Sequence, residues 1–179
     1  MKVSKLKFGV VLFEEENSSS SKEIDITSLL RNHGLDLAFK QENVSCSELG
    51  VLRGMHFQRV NPQGKLIRVF SGSIFDVVLD IRDQSESFGQ FQCLTLDSKK
   101  FNMLWVPPGL AHGFLALENK TIINYKVTHL RVESDEFGVN CLDPELNIPW
   151  PHLSKDYIMS EKDYNAVTLK NYYSEFKKE

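Results

Sequence analysis

Cysteine, long apolar runs, net charge and metal-ligand spacings are all scarce in this 179-residue chain, and each scarcity excludes something. Only Cys46, Cys93 and Cys141 occur, widely spaced and odd in number. They build neither a disulfide framework nor a zinc ribbon. Cys46 has no neighbouring feature of a nucleophile and reads as structural. The longest apolar runs are about six residues, against the roughly 20 of a membrane-spanning helix. The opening stretch MKVSKLKFGVVLFEEE has too short an apolar run for a secretory signal and meets acid at once. Lys+Arg number 21 and Asp+Glu 24, leaving −3, which argues against a nucleic-acid binder driven by bulk positive charge. Five histidines occur (His33, His56, His112, His129 and His152) with no HxH, HxxxH or CxxC pair among them. The local signals for zinc or iron are therefore missing, as are GxSxG and the glycine-rich phosphate loops. The expectation is a soluble cytoplasmic protein with no metal, no membrane and no nucleic-acid partner.

What is present is globular composition, 41% hydrophobic and 25% charged. A chain of this length buries roughly 70% of its unfolded surface, and residues 1–179 are expected to form a single domain. No repeat is visible, and the one low-complexity patch, Ser18–Ser21, reads as a surface loop. A short helix follows, capped by Asp25 or Thr27, with Leu29 and Leu30 on its apolar side and Gly34 at its C-terminal end. From Phe39 to Thr128 the pattern is short β segments between turns. Phe75, Val77, Leu79 and Ile81 alternate with Asp76, Val78, Asp80 and Arg82, the period of a half-buried strand. Further candidates are Leu66–Phe70, Phe91–Leu96, Met103–Val106, Gly113–Leu117 and Thr121–Thr128. Turn chemistry separates them in NPQGK, SGS, RDQSESFG, LDSKKFN, PPG and ENK. Many short strands at such spacing predict an all-β sandwich or barrel. Residues 144–179 read as irregular, ending in a short helix that starts near Ser160.

Charge is not spread evenly. Residues 49–75 hold Arg53, Arg59, Lys65 and Arg68 and no carboxylate, so a +4 stretch sits in a chain that carries −7 elsewhere. Arginine and lysine so grouped suit a phosphate, or else cover a sheet face or pair with Asp76 and Asp80. His56, between Met55 and Phe57, reads as a core histidine or a base. Tyr125 reads as an amphipathic strand aromatic, and Asp163 closes a capping box that opens at Ser160. None of these residues carries a function alone.

Taken together they resemble a known family. GVLRGMHFQ (50–58), GKLIRVFSGSIFDVVLDIR (64–82), SFGQF (87–91), LWVPPGLAHGF (104–114), YKVT (125–128) and DPELNIPWP (143–151) are similar, in collinear order, to the RmlC-type dTDP-4-dehydrorhamnose 3,5-epimerases. The resemblance covers about Phe39 to Asp163. It implies a cupin-like β-jelly-roll with short peripheral helices, a homodimer, and epimerisation of a nucleoside-diphospho-4-keto-6-deoxyhexose with no cofactor. A 4-keto group acidifies the C–H bonds at C3 and C5, so inversion needs a base on one face and an acid on the other. By resemblance His56 is the base, a role that suits histidine as a residue type. Asp163 orients its imidazole. Lys65 faces the oxyanion developing at O4. Tyr125 returns the proton. Arg53 fits the diphosphate, Gln41, Asn43 and Gln58 match polar positions of the nucleotide-sugar cleft, and Arg59 and His112 are further binding candidates.

The sequence departs from that family twice. A DxRGxFxE-like segment is usual near the N-terminus, and the corresponding EENSSSSK, Glu15 through Lys22, lacks both its arginine and its aromatic. An aromatic is also common six residues after Tyr125, where this chain has Arg131, a residue able to stack on a base or hold phosphate. Residues 1–38 are thus the divergent part, and nucleotide recognition is where divergence falls. The alternatives are an epimerase on a differently tagged sugar such as a CDP-linked one, a single-centre epimerase, a 4-keto-sugar ketoisomerase, and a non-catalytic sugar-nucleotide binder.

Overall fold

A computed structural model describes residues 1–14 and 24–176. Ser18–Ser21 and the whole EENSSSSK segment lie outside the described residues. In chain order the strands are β1 (Lys2–Lys5), β2 (Val11–Glu14), β3 (Gln41–Ser47), β4 (Leu52–Gln58), β5 (Lys65–Ser71) and β6 (Ser73–Asp80). They continue with β7 (Phe91–Asp97), β8 (Met103–Val106), β9 (Leu110–Ala116), β10 (Thr121–Val127) and β11 (Glu136–Gly138). Among the described residues three short α-helices, α1 (Ile26–Asn32), α2 (Glu161–Tyr164) and α3 (Leu169–Phe176), are peripheral. One sheet runs β1-β2-β8-β5-β10-β3 and the other β11-β4-β9-β6-β7. Neighbours within each are antiparallel, and the two sheets pack as a cupin-like jelly-roll.

Three apolar layers hold the sandwich. Between the sheets, Ile67, Val69 and Ile123 meet Ile74, Val78 and Phe114. Outside the six-stranded sheet, Leu30 of α1 packs with Phe13, Leu66 and Trp105. Asp25, rather than Thr27, caps α1 by accepting from the Ser28 N–H at 3.1 Å, and Gly34 follows its C-terminus at φ +80°. Outside the five-stranded sheet, Leu146, Ile148, Trp150, Leu169 and Tyr172 cover Val77, Leu79 and Leu115.

That third layer corrects one expectation. β6 is buried along nearly its whole length, Asp76 and Asp80 included, instead of half-buried. Its even residues Ile74 and Val78 face the inter-sheet core, and its odd residues Val77 and Leu79 face the C-terminal segment. The segment that reads as irregular is therefore the cover of a sheet face. Ile81 falls outside the strand. Asp80 tolerates burial because Arg82, Ser85 and Ser87 all donate to it. Asp76 hydrogen-bonds His112, and the cation of residues 49–75 that feels its charge is Lys65, which it favours at longer range.

Candidate active site

A cleft of about 650 Å³ opens between the sheets. β3, β5 and β10 line one wall, β4 and β9 the other, and residues 158–163 close it from the C-terminal side. Alternation along β3 brings Gln41, Asn43 and Ser45 into the cleft while Glu42, Val44 and Cys46 stay exposed. Tyr125 on β10 lies in register with Asn43 on β3 and Ile67 on β5.

The opposite wall carries two histidines. His56 on β4 and His112 on β9 are register partners beside a β-bulge. Gly54 and Gly113 let these strands approach. A Cβ on Gly113 would stand 2.7 Å from the Arg53 carbonyl oxygen, and one on Gly54 2.5 Å from the Gly113 Cα. Gly54 also has φ +117°, a conformation other residues rarely adopt.

Each histidine has a carboxylate. His56 Nε2 and Asp163 Oδ1 are 2.5 Å apart, and His112 Nε2 and Asp76 Oδ2 are 2.8 Å apart. Burial alone would raise Asp163, but bonds from His56, Ser160 and Gly54 hold it below the ordinary carboxylate range. It is ionised at neutral pH, a pure acceptor, so His56 Nε2 carries the proton and Nδ1 is left free. The capping box forms only in part. Ser160 Oγ accepts from the Asp163 N–H at 3.1 Å, as the sequence predicts, while the Asp163 carboxylate turns to His56. Asp163 thus bonds Ser160 through its backbone N–H and His56 through its carboxylate.

Lys65, only 8% exposed at the start of β5, donates from Nζ to the His56 carbonyl oxygen at 3.2 Å. Burial brings it down to about 8, against the upward pull of Glu136 and Asp76. Burial raises Tyr125, assisted by Glu136 and opposed by Arg53 and Arg131, so its phenol keeps its proton at neutral pH. A free imidazole nitrogen and a proton-bearing phenol therefore occupy opposite walls of one cleft.

Arginine and lysine complete its polar lining. Arg53 is exposed beside the bulge. Arg131 donates from Nε and Nη2 to the two oxygens of Glu136, at 3.1 and 2.7 Å, and Lys162 adds a bond of 2.9 Å. Burial would raise Glu136, but these cations bring it down to about 2. Two binding candidates from the sequence lie elsewhere. Gln58 and Arg59 line a second cavity of about 270 Å³. The Gln58 amide binds the backbone of Asn61, Leu130 and Val132, tying two loops together, because it stands at the strand end beyond the cleft. Ser45, Glu136 and Lys162 also line the cleft and belong to no motif of the sequence. Ser45 follows from the β3 alternation and Lys162 from its place beside Asp163, whereas nothing local marks Glu136.

An imidazole able to take a proton facing a phenol able to give one is an arrangement suited to chemistry of the epimerase class, set here on a jelly-roll. Comparison with known proteins sharpens that class. The family model described as dTDP-4-dehydrorhamnose 3,5-epimerase matches residues 14–171. The dTDP-4-dehydrorhamnose 3,5-epimerase of Methanothermobacter thermautotrophicus is 44% identical over 144 residues, 80% of this chain and 78% of that one. The Mycobacterium tuberculosis RmlC epimerase superposes with a TM-score of 0.88 at 30% identity, over 98% of this chain and 92% of that one. The Legionella pneumophila dTDP-6-deoxy-D-glucose-3,5-epimerase, solved with dTDP-4-keto-L-rhamnose, gives 0.84 at 32%, over 94% and 93%. This chain belongs to the dTDP-4-dehydrorhamnose 3,5-epimerase family.

Proposed function

We propose that this epimerase inverts C3 and C5 of dTDP-4-dehydro-6-deoxyglucose to give dTDP-4-dehydrorhamnose, without metal or organic cofactor. The observation that carries the reading is the His56–Asp163 pair facing a protonated Tyr125 across one cleft. His56 Nδ1 takes the proton from carbon, and the C–H electron pair moves into the enolate at O4. Lys65, as ammonium, stabilises that oxyanion. Tyr125 delivers a proton to the opposite face, the C4 carbonyl re-forms, and water restores both side chains. Arg53 takes the diphosphate, Gln41 and Asn43 the nucleotide-sugar, and His112 the sugar beside His56. The names of the M. thermautotrophicus relative and the L. pneumophila complex support this substrate. A cytoplasmic homodimer completes the proposal, and light scattering at twice 20.5 kDa checks the dimer.

Incubation with dTDP-4-keto-6-deoxyglucose in deuterated water is the test. Deuterium at C3 and C5 is expected. Deuterium at one centre replaces the proposal by a single-centre epimerase, a carbonyl moved to C3 by a ketoisomerase, and no exchange sinks it.

A further inference from the structure

The second cavity, of about 270 Å³, is separate from the cleft, and no described residue lines both. His56 and Phe57 are adjacent on β4 and serve different spaces, His56 the cleft and Phe57 this cavity. Its walls are aromatic rings held by their own packing. Phe57 and Tyr172 meet edge to face with centroids 5.1 Å apart, and Tyr173 packs on Phe88 at 4.9 Å. These surfaces are in place before a ligand arrives, so little ordering remains to be done on binding. The polar groups are of both signs. Arg59 and Arg82 line the cavity with Asp83, and the buried Asp80 accepts from Arg82 Nε and Nη2 at 2.9 and 2.7 Å. Two guanidinium groups thus meet two carboxylates. Burial raises Tyr172, with Arg59 opposing and Asp83 adding to the rise, so its phenol keeps a proton and can both donate and accept.

Size and charge together narrow the ligand. The volume lies below the roughly 300 Å³ at which sites for drug-sized ligands begin, so a single ring fits and a nucleotide does not. An anion would meet Asp83 and would upset a balance that is already even. The walls call instead for an uncharged ring with apolar faces and a polar edge. A pyranose has that form. Its C–H faces cover the aromatic rings, while its hydroxyls donate to Asp83 and accept from the guanidinium groups. We infer that this cavity is a binding site for a neutral hexose ring, filled independently of the cleft. The inference does not depend on the reaction proposed for the cleft.

Saturation-transfer NMR on the full chain is the measurement, with L-rhamnose and D-glucose as probes and inorganic phosphate as the charged control. A ligand of this size should give a Kd on the order of 1 mM for at least one sugar. Y173A removes a wall and D83A an acceptor, and each should weaken binding about tenfold. Asp83 is exposed, so D83A keeps the test open even if Y173A, checked by circular dichroism, fails to fold. Saturating dTDP should leave sugar binding unchanged. Binding of neither sugar up to about 100 mM, far above the expected Kd, overturns the site. So does displacement by dTDP, which would put the sugar in the cleft, and so does unchanged affinity in the folded variants. Phosphate bound here in place of sugar overturns the neutral ligand. Failure of dTDP to bind at all tells against the proposed function alone, and the two variants then decide this site without it.

Discussion

The cleft holds two histidine–carboxylate pairs that look alike in composition and differ in construction. His112 and Asp76 come from adjacent strands, β9 and β6, and their side chains are 11% and 0% exposed. His56 is 29% exposed, and its carboxylate arrives on α2, 107 residues later in the chain. Every bond to Asp163 favours its charged form, whereas Asp76 keeps one buried oxygen without a hydrogen-bond partner. A base needs access and an ionised, well-bonded partner, which the tail-delivered pair has. The pair built within the sheet is suited to holding a ring in place. Position in the cleft alone does not separate them; the origin and bonding of the carboxylate do.

The largest effect should come from breaking the histidines one at a time. H56A is expected to lower kcat by about 10³-fold, within the range of a lost general base. H112N, which keeps a donor for Asp76, is expected to cost about tenfold and mainly in KM. Deuterium wash-in from solvent reads the first loss directly. Equal losses in kcat for the two variants would abolish the distinction.

The carboxylates sharpen the same contrast. D163N leaves the His56 Nε2 partner without charge and should lower kcat by about 10²-fold with little change in melting temperature. D76N acts on a fully buried group with an unpartnered oxygen, so it should move stability by about 1–2 kcal/mol and kcat less than tenfold. Thermal melts beside steady-state rates check both. A D76N enzyme as slow as D163N would give the inner pair a part in proton transfer.

How much of this could be read from the chain follows the same division. Strands β5, β7, β8 and β10 are found within a residue or two, because alternation and turn residues act locally. The N-terminal hairpin of β1 and β2 was not, since four-residue strands such as KVSK carry no usable period. The full burial of β6 depends on Trp150 and Tyr172 returning from far along the chain. His56, Lys65 and Tyr125 stand out in the chain through several collinear motifs, not through any spacing of their own. The Asp163 carboxylate was ambiguous because capping and histidine-holding use the same residue. Glu136 stays hidden in the sequence because an acid in the polar segment after β10 has no pattern. Its role depends on where Arg131 and Lys162 stand in three dimensions.

Lys65 gives a pH test on the open pair's side of the cleft. As its ammonium is lost above about pH 8, kcat should fall towards tenfold per pH unit, while K65M removes the dependence along with most of the rate. The sign for stability is opposite. Its folded value lies below the ordinary 10.5, so between about 8 and 10.5 the unfolded chain binds more protons and stability rises with pH. Below pH 8 the buried charge costs on the order of 3 kcal/mol, so K65M should be the more stable protein at pH 7 and lose that advantage by pH 10.5. Urea unfolding at the two pH values measures it.

The smallest effect on rate should come from the frame the two pairs share. G113A places a Cβ 2.7 Å from both the Arg53 carbonyl oxygen and Met55 Sδ, so β4 and β9 must move apart. The expected cost is about 1–3 kcal/mol in stability, as for other overpacked sites. Because His56 and His112 ride on the two strands together, their relation to each other changes less than their distance from Tyr125 on the facing sheet. The kcat should drop only a few-fold, and the ratio between the H56A and H112N effects should survive in the G113A background. A G113A enzyme in which that ratio collapses would mean that strand register, rather than the source of the carboxylate, sets the two histidines apart.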